Sequence, residues 1–228
     1  MTTILKNLSV IATMDDDRRE IRDGWIVVEG PAITALGTGP LPDGIVEAEC
    51  TVIDGKGALA IPGMVNTHHH LYQTFQRNVP FVQDAKLFDW LVGLYEIWRE
   101  LTPVDVHTSA LVGMGELLLT GCTTVADHFY VFPKGQSEHL LDETIEASRT
   151  LGVRFHPSRG SMSRGRSKGG LPPDDVVQEP DVILKDSERV IAHYHDKRRF
   201  SMCRVARAPC SPFSGTDDLL LESARLAR

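Results

Sequence analysis

The stretch Ala60-Ile61-Pro62-Gly63-Met64-Val65-Asn66-Thr67-His68-His69-His70-Leu71 decides how the rest of the chain is read. Pro62-Gly63 breaks the backbone, a short apolar run follows, and three histidines close it. On an extended chain alternate side chains share a face, so His68 and His70 point together while His69 points away. Neutral imidazole is the commonest nitrogen ligand for zinc and suits iron too, and a strand end holds two such ligands with little entropy left to lose. A His-x-His pair alone is also what a solvated loop or an appended tag presents. The internal position, the stop at three residues and the preceding Pro-Gly break favour the metal reading, with His68 and His70 as the ligands.

Before this stretch the pattern is β. Residues 4–12, 24–29, 32–36 and 45–53 are β runs separated by Asp, Gly and Pro clusters, which predicts a small β module over residues 1–57. Asp15-Asp16-Asp17-Arg18-Arg19 carries both signs of charge around a turn and reads as a solvated hairpin. After the histidines the period changes. Leu87, Leu91, Leu94 and Ile97-Trp98 recur at helical spacing up to Thr102-Pro103, and residues 104–119 form a second helix. Residues 122–127, 153–158 and 202–208 read as strands, and 138–151, 174–195 and 216–228 as helices. Strand and helix thus alternate four times over residues 58–228, which implies parallel strands with helical crossovers. Ligand groups in such sheets gather beyond the carboxyl ends of the strands, where His68 and His70, Asp127 and His128, Arg159, and Cys210 and Ser211 all lie.

Several of these residues have two readings. Gln73, one turn past the histidines, either bonds a substrate carbonyl or is a polar residue at a helix start. His128 is either a site residue or a satisfied structural histidine. Arg159 either meets an anionic or carbonyl edge of a substrate or forms an ion pair. Residues 160–173, rich in Gly and Ser, lack the spacing of a phosphate loop and read as a lid over a barrel mouth. His193-Tyr194-His195 lies at a helix end, where residues two apart diverge, and reads as a helix-terminal pair.

Composition bounds the function. Lys plus Arg 24 against Asp plus Glu 31 gives a net charge of −7, which argues against a nucleic-acid or membrane surface and for a small neutral or cationic ligand. With 42% hydrophobic residues the chain can build a sizeable core. The start has no basic segment leading into a long apolar run, and no stretch reaches a membrane span, so the expected location is the cytoplasm. Cys50, Cys122, Cys203 and Cys210 include no Cys-x-x-Cys pair, fitting free thiols in a reducing compartment. A zinc site of the cytidine-deaminase kind needs His-x-Glu and Pro-Cys-x-x-Cys. Here Pro209-Cys210 is followed by Ser211-Pro212 and no His-x-Glu occurs.

Pro-Gly followed by Met-Val-Asn-Thr-His-His-His resembles the first-strand signature of the amidohydrolase superfamily, metal-dependent hydrolases on a (β/α)8 barrel. His70-Leu71-Tyr72-Gln73-Thr74, Leu87-Phe88-Asp89-Trp90-Leu91, Gly121-Cys122-Thr123-Thr124, Asp127-His128 and Arg159-Gly160-Ser161-Met162-Ser163 are similar to the subgroup that deaminates purines or hydrolyses triazines, the 8-oxoguanine deaminase family nearest. The resemblance implies an α/β fold, with an N-terminal β-sandwich module and the first half of a TIM barrel, cut before strand 5. It implies one Zn²⁺, with Fe²⁺ as the alternative, on His68 and His70. Gln73, His128 and Arg159, read residue by residue above, are the expected substrate-side groups. The remaining ligands and the proton-moving residues of that family belong to later strands, so the 228 residues alone are expected to fold poorly and lack turnover. No lysine occurs in Val205-Ala206-Arg207-Ala208-Pro209, which favours one metal over a bridged pair. Arg207 departs from an apolar position and puts the packing there in question. The implied partners are water and a small heterocycle, 8-oxoguanine first and guanine or a triazine next. Neither nucleic acid nor membrane is expected, and a homo-oligomer is compatible. The rival class is a non-catalytic half-barrel used for binding or assembly.

Overall fold

The computed structural model describes residues 1–228, which divide into two compact units, Met1–Gly63 and Met64–Arg228. In the first, β1 (Thr2–Ala12), β2 (Glu20–Glu29), β3 (Ala32–Thr38), β4 (Thr51–Asp54) and β5 (Leu59–Ala60) form one sheet in the order β3-β2-β1-β4, with β5 also on β1. β1 runs antiparallel to β2 and parallel to β4 and β5. The strands alternate so that Leu8, Ile11 and Ile26 gather with Leu5, Ile21, Val28, Leu36 and Ala60 on one face. Within this chain the expected sandwich is represented by that single layer. The predicted strand over 45–53 is only its last part, because Glu47–Glu49 winds into a single 3₁₀ turn before β4. Asp15 is the acceptor of its own turn: Thr13 Oγ1 donates to it at 2.7 Å and Arg19 Nη2 at 2.6 Å.

The second unit is an open, curled, parallel half-barrel. β6 (Met64–Asn66), β7 (Cys122–Phe129), β8 (Arg154–Ser161) and β9 (Ala206–Pro209) lie in chain order and all pair in parallel. The crossovers are α1 (Leu87–Trp98) and α2 (Pro103–Leu119), then α3 (Leu140–Leu151), then α4 (Pro180–Tyr194), and α5 (Asp217–Leu226) follows β9. Parallel strands demand such connections, and their helices cover one face of the sheet. Val125, Phe129 and Phe155 meet Trp98, Val106, Ala110, Met114, Leu141 and Ile145 there in one apolar core. No helix is long and apolar enough to cross a membrane.

Local chemistry sets the ends of the helices. Thr102 caps α2: its hydroxyl accepts from Asp105 N–H at 3.3 Å, and Asp105 Oδ2 accepts from Thr102 N–H at 2.9 Å, with Pro103 in the first turn. α4 begins at Pro180 rather than near 174, because Pro fits the first turn of a helix and not its interior. β9 is shorter than the predicted 202–208 run, with Cys203 joined to the sheet by an isolated bridge to Phe155. Arg207 is accommodated because its guanidinium leaves the sheet for α5, donating to Ser223 O and Oγ at 3.1 Å each.

Candidate metal centre

β6 ends at Asn66, and the histidines follow it without regular secondary structure before the 3₁₀ segment Leu71–Gln76. His68 Nε2 and His70 Nε2 stand 3.2 Å apart with their rings edge to face. Two facing imidazole lone pairs repel at that separation, so a proton or a cation belongs between them. Zinc–nitrogen bonds of about 2.0–2.1 Å at a tetrahedral angle place two ligand nitrogens about 3.3 Å apart. The pair therefore fits two corners of a zinc sphere. No group of three or more His, Cys, Asp or Glu is gathered to complete one.

The protonation of His70 follows from its neighbour. Its Nδ1 lies 2.7 Å from the carbonyl of His128 and must donate to it, which leaves the lone pair on Nε2, toward His68. Burial holds His70 down to about 4, so it is neutral and ready to ligate at ordinary pH. His69 faces the other way as alternation requires: its carbonyl accepts from His128 N–H at 2.8 Å, and its ring lies near Gly113 of α2. Gly113 permits that approach, since a Cβ there would come within 2.8 Å of Thr74 Oγ1 and 2.9 Å of Leu71 Cδ2.

Asp127 secures the chain reversal after His70. Its Oδ1 accepts from Leu71 N–H at 2.7 Å, its Oδ2 is buried without a partner, and burial raises the carboxyl to about 7. On β7 it shares the buried face with Val125 and Phe129, whereas His128 lies on the other face. His128 Nε2 donates to the Ala208 carbonyl at 2.7 Å. Tyr130 stands 5.4 Å from His70 and 5.1 Å from His128, ring to ring. Tyr72 packs 5.7 Å from Tyr130, and Gln73 Nε2 donates to the Tyr72 hydroxyl at 3.1 Å. His68, His70, Gln73 and His128 are thus gathered at the carboxyl ends of β6 and β7.

Arg159 is not with them. On β8 it shares the buried face with Phe155 and Pro157 and is directed at α4, where Nε donates to Asp186 at 2.7 Å, while Nη2 donates to Gln178, just before that helix, at 2.8 Å. Nη1 donates to Gly160 O at 2.5 Å, and the guanidinium lies over the Phe132 ring at 3.8 Å. The expected substrate contact gives way to an ion pair between the sheet and its helix layer. Asp127, which the sequence reading placed only as one of the groups at the strand ends, is the residue that fixes the turn after His70. Its signal was the alternation that sets it opposite to His128.

A model described as the amidohydrolase family matches residues 59–228. The chain belongs to the amidohydrolase family. It is 43% identical to 8-oxoguanine deaminase of Pseudomonas aeruginosa over 90% of this chain and 44% of that protein. It is 35% identical to hydroxydechloroatrazine ethylaminohydrolase of a Pseudomonas species over 91% of this chain and 43% of that one. Among solved structures, atrazine chlorohydrolase of Arthrobacter aurescens complexed with zinc superposes with a TM-score of 0.88 at 35% identity, covering 99% of this chain and 50% of that enzyme. This amidohydrolase chain therefore spans about half the length of the relatives it matches, which are named deaminases and hydrolases.

Proposed function

We propose that this chain supplies the metal-binding half of a hydrolytic deaminase for an aminated purine-like ring, 8-oxoguanine first, with guanine and hydroxy- or chlorotriazines as the alternatives. The observation that carries the reading is the His68/His70 pair, 3.2 Å apart at the end of β6, with the His70 tautomer set by the His128 carbonyl. A single divalent ion held there, zinc before iron, would supply Lewis acidity that brings the pKa of a bound water toward about 7. His70 keeps its lone pair on Nε2 and its proton on Nδ1 throughout, so it serves as a ligand and not as the base. Tyr130 packs edge to face against His70 with the fully buried Tyr72 behind it, a rigid aromatic backing for the pair. Gln73 spends one amide N–H on Tyr72 and keeps the other, with its carbonyl, for the donor and acceptor edge of a lactam or amidine. His128 spends Nε2–H on Ala208, so it can offer a substrate only the Nδ1 lone pair.

The test completes the barrel by joining the unmatched C-terminal part of the Pseudomonas aeruginosa relative to this chain, then measures ammonia release from a panel of rings. Zinc-dependent release, fastest from 8-oxoguanine, is expected. A zinc-retaining protein that releases ammonia from none of these rings has another substrate class.

A further inference from the structure

His128 commits three of its four polar groups, two to the His tract and one to β9. Its N–H donates to His69 O at 2.8 Å, its carbonyl accepts from His70 Nδ1 at 2.7 Å, and its Nε2–H donates to Ala208 O at 2.7 Å. The β6–β7 ladder ends at Asn66 with Val125, so beyond that row His128 is the residue of β7 that continues the pairing to the tract. Its peptide groups grip the chain on both sides of the His69–His70 link. Any rotation of the His128 backbone moves the acceptor that fixes the His70 tautomer.

The side chain reaches across the sheet. His128 is paired with Ser158 on β8, and Ala208 of β9 is paired with Gly160, so the imidazole passes over β8 at Gly160 to reach the second strand along. A Cβ on Gly160 would come within 2.7 Å of His128 Nε2 and 2.6 Å of Phe129 O. Only glycine leaves that path open. The imidazole thus ties β7 to β9 through the curl of the half-barrel, and the donor it uses is the nitrogen that a metal or substrate would otherwise claim.

We propose that His128 is a positioning residue for the metal pair, its side chain bridging over Gly160 to Ala208 and thereby holding its own carbonyl against His70 Nδ1. The inference rests on the metal reading of His68 and His70. It goes beyond that reading by assigning the pre-organisation of the pair to the β7–β9 bridge. Partners that orient a ligating histidine are typically worth about 10- to 100-fold in metal affinity.

The test uses the completed barrel of the preceding experiment with two readouts: ¹⁵N NMR of the imidazole rings, which reports the His70 tautomer without metal, and cobalt(II) titration followed by its visible spectrum. His128→Phe keeps the ring and removes the donor, His128→Gln restores an N–H at similar reach, and Gly160→Ala blocks the path. The expected result is a single Nδ1–H tautomer of His70 in the parent and in H128Q, mixed tautomers in H128F and G160A, and cobalt affinity lower by about tenfold in the last two. H128F and G160A chains that stay folded with the parent tautomer and affinity overturn the proposal. Should either variant unfold, H128Q decides, because a bridge that matters must be restored by it, and parent-like folding with a scrambled His70 tautomer in H128Q also overturns it. A parent that binds no cobalt sinks the metal reading, while the metal-free tautomers still judge the bridge.

Discussion

Arg159 and Asp186 form a buried ion pair between β8 and α4, Nε to Oδ2 at 2.7 Å, with side chains 0% and 3% exposed. Asp186 also accepts from Arg189, which in turn holds Asp142 of α3 through Nη1 and Nη2 at 2.9 and 2.7 Å. One network therefore fastens the sheet to two of its crossover helices. Burial lowers the Arg159 pKa, and Asp186 opposes that without cancelling it.

Breaking the pair from one side leaves an uncompensated buried charge. Arg159→Ala or Asp186→Ala is expected to cost about 3–5 kcal/mol in urea unfolding, and Arg159→Met with Asp186→Leu together to cost much less than the sum. Single variants of unchanged stability with weakened ligand binding would return Arg159 to the substrate side.

Asp127 and His70 predict opposing pH dependences. Burial raises Asp127 from 3.8 to about 7, so its contribution to stability is full below 3.8 and is lost as pH rises to about 7. Burial lowers His70 from 6.5 to about 4, so its contribution is full above 6.5 and is lost as pH falls to about 4. Between about pH 4 and 6.5 the two slopes oppose one another in the metal-free chain. Asp127→Asn removes the first and should make stability fall more steeply on acidification than in the parent. His70→Gln removes the second and should leave stability falling as pH rises. Urea midpoints across this window check both, and an Asp127→Asn curve parallel to the parent's would contradict the raised carboxyl.

Gly113→Ala should destabilise the chain although alanine is the better helix former. The new methyl would meet Thr74 Oγ1 and Leu71 Cδ2 at 2.8 and 2.9 Å, and overpacking of this kind costs about 1–3 kcal/mol against about 1 kcal/mol of helix propensity. Thermal unfolding decides it. A more stable variant would mean that the Leu71–Gln76 turn yields to α2 with no cost.

Much of this architecture is legible in local pattern. The strand–helix alternation, the carboxyl-end location of the site and the shared face of His68 and His70 all follow from periods of two and 3.6 residues. The same rule, carried along β8 from Phe155 through Pro157, puts Arg159 on the helix side, so its location at a strand end was a weaker guide than its parity. Asp127 follows likewise from Val125 and Phe129. The His128–Ala208 bond is of another kind: it spans two strands, depends on the curl of the sheet and on the missing Cβ at Gly160, and has no local signal. The start of α4 was misplaced because the amphipathic pattern continues upstream of Pro180, where the backbone is not helical.

On the proposed reading His68 and His70 are the metal ligands of this chain and His69 is not. X-ray absorption at the zinc edge of the zinc-loaded chain measures it directly. The account predicts two imidazole nitrogens at about 2.0 Å with oxygen completing the shell, one nitrogen fewer in His68→Ala and in His70→Ala, and an unchanged spectrum in His69→Ala. A zinc shell without imidazole, or one that loses nitrogen only in His69→Ala, would contradict it.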